Sequence, residues 1–130
     1  MLLKLAHLSQ SLLQVFDNQS ASSFSNTSNL IDLPDANEWI YLLIETSIPV
    51  PHPIHLHGHD FYILADGDTT YNESAVTLNT SNPPRRDVAL LQSDGYLVIA
   101  FQTDNPGVWL LHWYVNLLSA RSIWTVLTKL

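Results

Sequence analysis

Four of the chain's six histidines lie within eight residues, in His52-Pro53-Ile54-His55-Leu56-His57-Gly58-His59. Imidazole is the commonest side-chain ligand for transition metals, so this segment predicts a metal site. On a strand, residues i and i+2 project to one face. His55 and His57 then form a two-nitrogen platform while Leu56 packs opposite, and His52, three residues earlier beside Pro53, faces a different site. Gly58 lets another backbone or a ligand approach closely. His59 suits a supporting or surface role better than ligation, and His7 reads as a surface histidine.

The elements that hold this segment are legible as strands. Trp39 to Thr46 is aromatic and β-branched, with Pro34 and Asp35 before it and Pro49 after it. Phe61 to Ala65 is a second strand, closed by Asp66-Gly67-Asp68. Thr69 to Arg86 is polar and reads as a surface excursion. Asp87 to Gln92 and Tyr96 to Thr103 flank the turn at Ser93-Asp94-Gly95. Asn105-Pro106-Gly107 is a further turn signal before Val108 to His112. Short strands separated by turns predict an all-β antiparallel sandwich or barrel. Leu12 to Phe16 leans to strand, the first ten residues are open between helix and strand, and Ser20 to Asn29 reads as a loop. There is no internal repeat.

Composition narrows the function classes. A chain of 130 residues with 46% hydrophobic and 13% charged residues suits one packed domain. Twelve acidic residues against five basic ones give a net charge of -7, which opposes nucleic-acid binding. No apolar run has the length of a membrane span. Without cysteine there is neither a disulfide nor a thiolate ligand within the chain. Sequons at Asn18, Asn26, Asn72 and Asn79 lie in polar stretches and lean toward a secreted glycoprotein. Met1 to Phe16 lacks a continuous apolar centre and a small-residue cleavage site, so no signal peptide is read there.

The histidine segment resembles the third histidine motif of the multicopper oxidases, particularly fungal laccases of ascomycete type. Asn82-Pro83-Pro84-Arg85-Arg86-Asp87-Val88 and Asp104-Asn105-Pro106-Gly107-Val108-Trp109-Leu110-Leu111-His112 resemble the approach to their fourth motif. The resemblance implies a cupredoxin-like Greek-key β-sandwich, incomplete at both ends. Residues 1–11 are then an unassigned start, 12–112 the C-terminal plastocyanin-like domain, and 113–130 a divergent tail. It also implies copper as cofactor. His52 matches a type 1 copper ligand, His55 a type 2 ligand, and His57 and His112 match type 3 ligands. The family reaction withdraws four single electrons from phenolic substrates and reduces dioxygen to water, in a secreted enzyme with further domains that this chain does not contain.

The pattern breaks after His112. The family has Cys, then His, then a further His four residues later, where this chain has Trp113, Tyr114 and Leu118. A type 1 centre needs the thiolate, and tryptophan does not replace it, so the chain is expected to lack turnover alone. The break is abrupt, which suggests a retained intron or a frameshift: Trp113-Tyr114-Val115 is encoded TGG-TAY-GTN, compatible with a cysteine codon interrupted by a splice donor. The transcript sequence tests this, and a spliced message still encoding Trp-Tyr-Val would exclude it. Residues 119–130 are apolar enough to pack, in a register not evolved for this core. Two other readings stand beside the laccase fragment. One is a stand-alone cupredoxin-like domain binding one metal through His55, His57 and His112. The other is a cupin-type metalloenzyme, disfavoured because Asp60 and Asp66 are poor substitutes for its glutamate.

Overall fold

Burial alternates along the central strands with a period of two, as expected where one face of a sheet is covered. In the computed structural model, residues 2–4, 30–33, 35–113 and 123–128 are described, and they form ten strands and no helix. The strands are β1 (Leu2–Lys4), β2 (Leu30–Leu33), β3 (Trp39–Glu45), β4 (His52–Leu56) and β5 (Phe61–Gly67). They continue as β6 (Arg85–Arg86), β7 (Val88–Leu91), β8 (Tyr96–Gln102), β9 (Gly107–Trp113) and β10 (Ile123–Thr128). Two five-stranded sheets result, one ordered β1-β3-β8-β5-β6 and the other β2-β10-β9-β4-β7. The first ten residues, left open from sequence, contribute β1. Leu12 to Phe16 and His7 lie outside the described residues.

The two sheets face each other across one core. From the first sheet come Leu42, Ile44, Phe61, Leu97, Ile99 and Phe101; from the second come Ile31, Leu33, Ile54, Leu56, Ala89, Leu91 and Leu111. Strand β8 is buried from Tyr96 through Phe101 because its other face is covered too. There Leu64, Tyr96, Val98 and Ala100 form a second apolar layer beneath Tyr71, Val76 and Leu78. The polar stretch after β5 is thus a cover as well as a surface excursion. It is tied down by the Tyr71 N–H donating to Glu45 Oε1 at 2.9 Å and by the Asn79 N–H donating to the Leu64 carbonyl at 2.7 Å.

Three features differ from the sequence expectation. The sheets are not wholly antiparallel: β1 runs parallel to β3, and β2 parallel to β10. Arg85 and Arg86, read as the end of the excursion, pair with Tyr62 and Phe61. Residues 123–128, read as part of a divergent tail with no assigned element, pair with β9 from Ile123↔His112 to Thr128↔Gly107 and with β2 on the other side. The apolar, β-branched run of these residues is strand-compatible whatever its origin, and two unsatisfied strand edges receive it.

A buried threonine closes the β2–β3 connection onto β8. Thr103 Oγ1 donates to the Asp35 carbonyl at 2.7 Å and accepts the Glu38 N–H at 2.9 Å. Its backbone exchanges bonds with Asn37 and Glu38, each at 2.9 Å. Asn37 adopts a positive φ of 61° in this turn, a conformation that asparagine tolerates.

Candidate metal centre

Strand parity divides the histidines into two groups. Along β4, His52, Ile54 and Leu56 are buried, while Pro53 and His55 are less so. His52 therefore points into the core between the sheets and His55 away from it. On β9 Leu111 is buried and Trp113 packs on the core, so His112 faces outward. Pairing of β4 with β9 sets Ile54 opposite Trp113 and His55 opposite His112. One register thus builds an inner site at His52 and Trp113 and an outer site at His55 and His112. His57 joins the outer one, its N–H donating to the Leu110 carbonyl at 2.8 Å.

In the outer group the rings of His55 and His57 lie 4.6 Å apart, those of His57 and His112 5.0 Å, and those of His55 and His112 5.7 Å. A carbonyl can only accept, so His55 Nδ1–H donates to the Asp87 carbonyl at 2.7 Å and His112 Nδ1–H to the Trp113 carbonyl at 3.2 Å. In that tautomer each ring presents Nε2 as a lone pair, the arrangement that backbone carbonyls impose on metal-binding histidines. His57 Nε2 lies 2.9 Å from His112 Nε2 and supplies the shared proton. Partial burial, then the neighbouring His55 and His112, hold His57 below the ordinary histidine value. Among the described residues no group of three or more histidine, aspartate or glutamate side chains is already disposed around one ion.

The inner group is different. His52 is fully buried, and burial lowers its pKa. Its Nε2 lies 3.3 Å from Thr46 Oγ1, while Nδ1 is buried without a hydrogen-bond partner. The Trp113 ring stands 3.9 Å from the His52 ring in an edge-on arrangement, and its Nε1 is also buried without a partner. The orphaned His52 Nδ1 is what a histidine prepared for a ligand would show. Beside it is an indole, which offers a donor N–H and no lone pair.

His59 is buried apart from both groups. It is 7% exposed, packs against Phe101 and Trp109, and its Nδ1 lies 3.4 Å from the His57 carbonyl. The chain reverses at Gly58 with φ of 73°, where a Cβ would stand 2.5 Å from the Trp109 ring. Trp109 Nε1 donates to the Asn105 carbonyl at 2.9 Å, and Asn105 Nδ2 donates to the Gly58 carbonyl at 2.8 Å. The Asn105-Pro106-Gly107 turn thus clamps the loop that follows His57. This clamp, and the two carbonyls that orient His55 and His112, carry no residue-type signal of metal chemistry. A cavity of about 680 Å³ opens beside His55 and His59, with Asp60, Asp87 and Asp104 in its wall. The exposed Arg85–Asp60 ion pair at 3.2 Å on its rim contributes little to stability.

Compared with known proteins, residues 2–116 match the family model described as multicopper oxidase. The chain belongs to the multicopper oxidases. This multicopper oxidase domain is 47% identical over 111 residues to Laccase-3 of Botryotinia fuckeliana, covering 73% of the chain and 24% of that protein. It is 44% identical over 115 residues to a laccase of Cryphonectria parasitica, covering 74% of the chain and 20% of the relative. The solved laccase from Botrytis aclada superposes with a TM-score of 0.78 at 40% identity, over 96% of this chain and 24% of that one. The fold is the all-β sandwich of laccase cupredoxin domains, and the chain spans about a quarter or less of the length of these relatives.

Proposed function

We propose that this multicopper oxidase chain retains one strand pair's share of a copper cluster and lacks the site that would receive electrons from substrate. The observation that carries the reading is the contact between Trp113 and His52. The first position after His112, a thiolate in the family pattern, is an indole packed against the one histidine left of that set. The inner residues therefore do not fit a type 1 copper.

The outer residues do fit a share of a copper site. His55, His57 and His112 would hold the metal, which when bound supplies one-electron redox chemistry. Backbone carbonyls keep the Nδ1 protons of His55 and His112 in place, so His55 offers Nε2 as it stands and His112 offers it once the proton from His57 is released. His57 must transfer its Nε2 proton to Nδ1 or to solvent before its own Nε2 can ligate. In an intact enzyme of the family the further ligands come from other domains, the phenolic substrate is oxidised elsewhere, and dioxygen is reduced where the domains meet. The chain alone is proposed not to oxidise phenols. The sequons and the fungal laccase likeness support an exported glycoprotein.

A second reading, a stand-alone metal-binding domain, is favoured specifically by the carbonyl-anchored tautomers of His55 and His112. One experiment addresses both. Copper-loaded protein is expected to show weak ligand-field absorption, no intense blue thiolate band and no oxidation of phenols. A blue band or phenol turnover would overturn the loss of the type 1 site. Stoichiometric copper binding abolished by His57→Ala would favour the metal-binding domain, and absence of binding the inactive remnant.

A further inference from the structure

On the outer face of the first sheet the apolar cover stops short. Trp39 and Tyr41 are 50% and 54% exposed, and with Tyr62, Leu64, Thr80 and Pro83 they line a shallow apolar hollow of about 320 Å³. Trp39 and Tyr62 stand 5.8 Å apart, so the floor is a continuous aromatic shelf. A contiguous exposed patch of this kind on a soluble domain marks a contact surface. Thr80 on its rim is the middle residue of the sequon Asn79-Thr80-Ser81.

We propose that Asn79 carries an N-linked glycan whose first sugars lie over the Trp39–Tyr41–Tyr62 shelf. Asn79 is exposed, and its N–H donates to the Leu64 carbonyl, which fixes the sequon against a strand that itself floors the hollow. Asn79 Oδ1 accepts the Ser81 N–H at 3.2 Å, which engages the oxygen and leaves Nδ2, the acceptor atom of glycosylation, outside that bond. The hollow is open on one side and aromatic on the other. A sugar ring suits both, with its C–H face on the rings and its hydroxyls in water. Tethering supplies an effective concentration on the order of millimolar, enough for a contact too weak to form between free partners. Asn72 has a similar exposed turn, with the Ser74 N–H donating to its Oδ1 at 3.0 Å, but no residue of its sequon lines the hollow.

The transfer needs one co-reactant, an oligosaccharide carried on a lipid diphosphate. Asn79 Nδ2 attacks the anomeric carbon, a C–N bond forms, and the C–O bond to the diphosphate breaks. The Nδ2 proton passes to a base of the transferase, and the lipid diphosphate leaves with the bonding pair. Nothing is oxidised or reduced.

This inference rests on the exported-glycoprotein part of the reading above, and its test supplies the export route so that the two fail separately. The full chain behind a foreign export signal, translated with endoplasmic-reticulum microsomes, is expected to carry one glycan fewer in Ser81→Ala than in the unchanged sequence. An equal number would overturn the site. The chain secreted from yeast is then labelled with hydroxyl radicals. Trp39 and Tyr41 are expected to react several-fold faster in Ser81→Ala, and faster in the unchanged protein after a peptide-N-glycosidase has released the whole glycan under native conditions, which requires no variant to fold. Asn72→Gln is expected to leave both rates as they were. Equal labelling with and without the Asn79 glycan, or the same effect from Asn72→Gln, would overturn the contact. Copper absorption is read separately and bears only on the laccase reading.

Discussion

His52 is a histidine kept neutral by its surroundings, and that has a measurable consequence. It is fully buried, and burial holds its pKa below the ordinary value of 6.5. Well above pH 6.5 both folded and unfolded chains hold it uncharged, so it contributes no pH dependence there. As the pH falls below 6.5 the unfolded chain takes up a proton that the folded chain refuses, and linkage shifts the balance toward unfolding. The loss continues down to the lowered folded-state value and then levels off. Thermal midpoints measured from pH 7.5 to 5 are expected to fall, and to fall less steeply in His52→Gln. Equal slopes in the two proteins would show that His52 is not the source. Trp113 is the other half of the pair. It is partly buried against the core, and Trp113→Ala is expected to cost roughly 2–4 kcal/mol in urea unfolding, below or within the range for a fully buried ring.

At the scale of elements, the site depends on where β4 ends and how the chain leaves it. Gly58→Ala would place a methyl group on the Trp109 ring at a residue with positive φ. Left-handed strain and overpacking together give an expected cost of about 2–4 kcal/mol. Because Gly58 follows His57, metal affinity in calorimetry is expected to fall as well. Thr103→Val keeps the shape of the side chain and removes its hydroxyl. It leaves the Glu38 N–H without its partner, for an expected loss of about 1–3 kcal/mol in urea unfolding and no change in metal affinity. These elements also show what a sequence reveals. The i, i+2 spacing of His55 and His57, and the opposite phase of His52, follow from strand parity, so their division between two faces was legible. The partnership of His55 with His112 depends on a register between strands 57 residues apart, which local spacing does not encode. Backbone carbonyls that orient imidazoles have no residue signature, so the Asp87 and Trp113 carbonyls could not be read. The parallel edge pairs were missed because turn signals between neighbouring strands favour antiparallel hairpins, whereas β1 and β2 reach their partners from distant parts of the chain.

Over the whole molecule, three layers stack: the cover after β5, the first sheet, and the second sheet. The histidine cluster lies on the second sheet's outward face and shares no contact cluster with Tyr71, Val76 or Leu78. Sites without shared partners contribute nearly additively, so stability and metal binding are separable by design of variant. The paired change Val76→Ser and Leu78→Ser strips apolar contact from the outer layer only. Both residues are half-buried, so each is expected to cost about 1 kcal/mol, less than the value for full burial. Together they are expected to lower the urea midpoint while copper affinity measured by calorimetry stays at its original value. His57→Ala is expected to do the reverse, since its ring is exposed and its loss removes a ligand and little packing. A fall in copper affinity in the Val76→Ser, Leu78→Ser protein would mean that the outer layer and the β4–β9 face communicate through the buried strand β8. That strand contributes most to both apolar layers, through Leu97, Ile99 and Phe101 on one side and Tyr96, Val98 and Ala100 on the other. The cover and the outer histidines nevertheless belong to no common apolar cluster, and that separation predicts independence of the two faces.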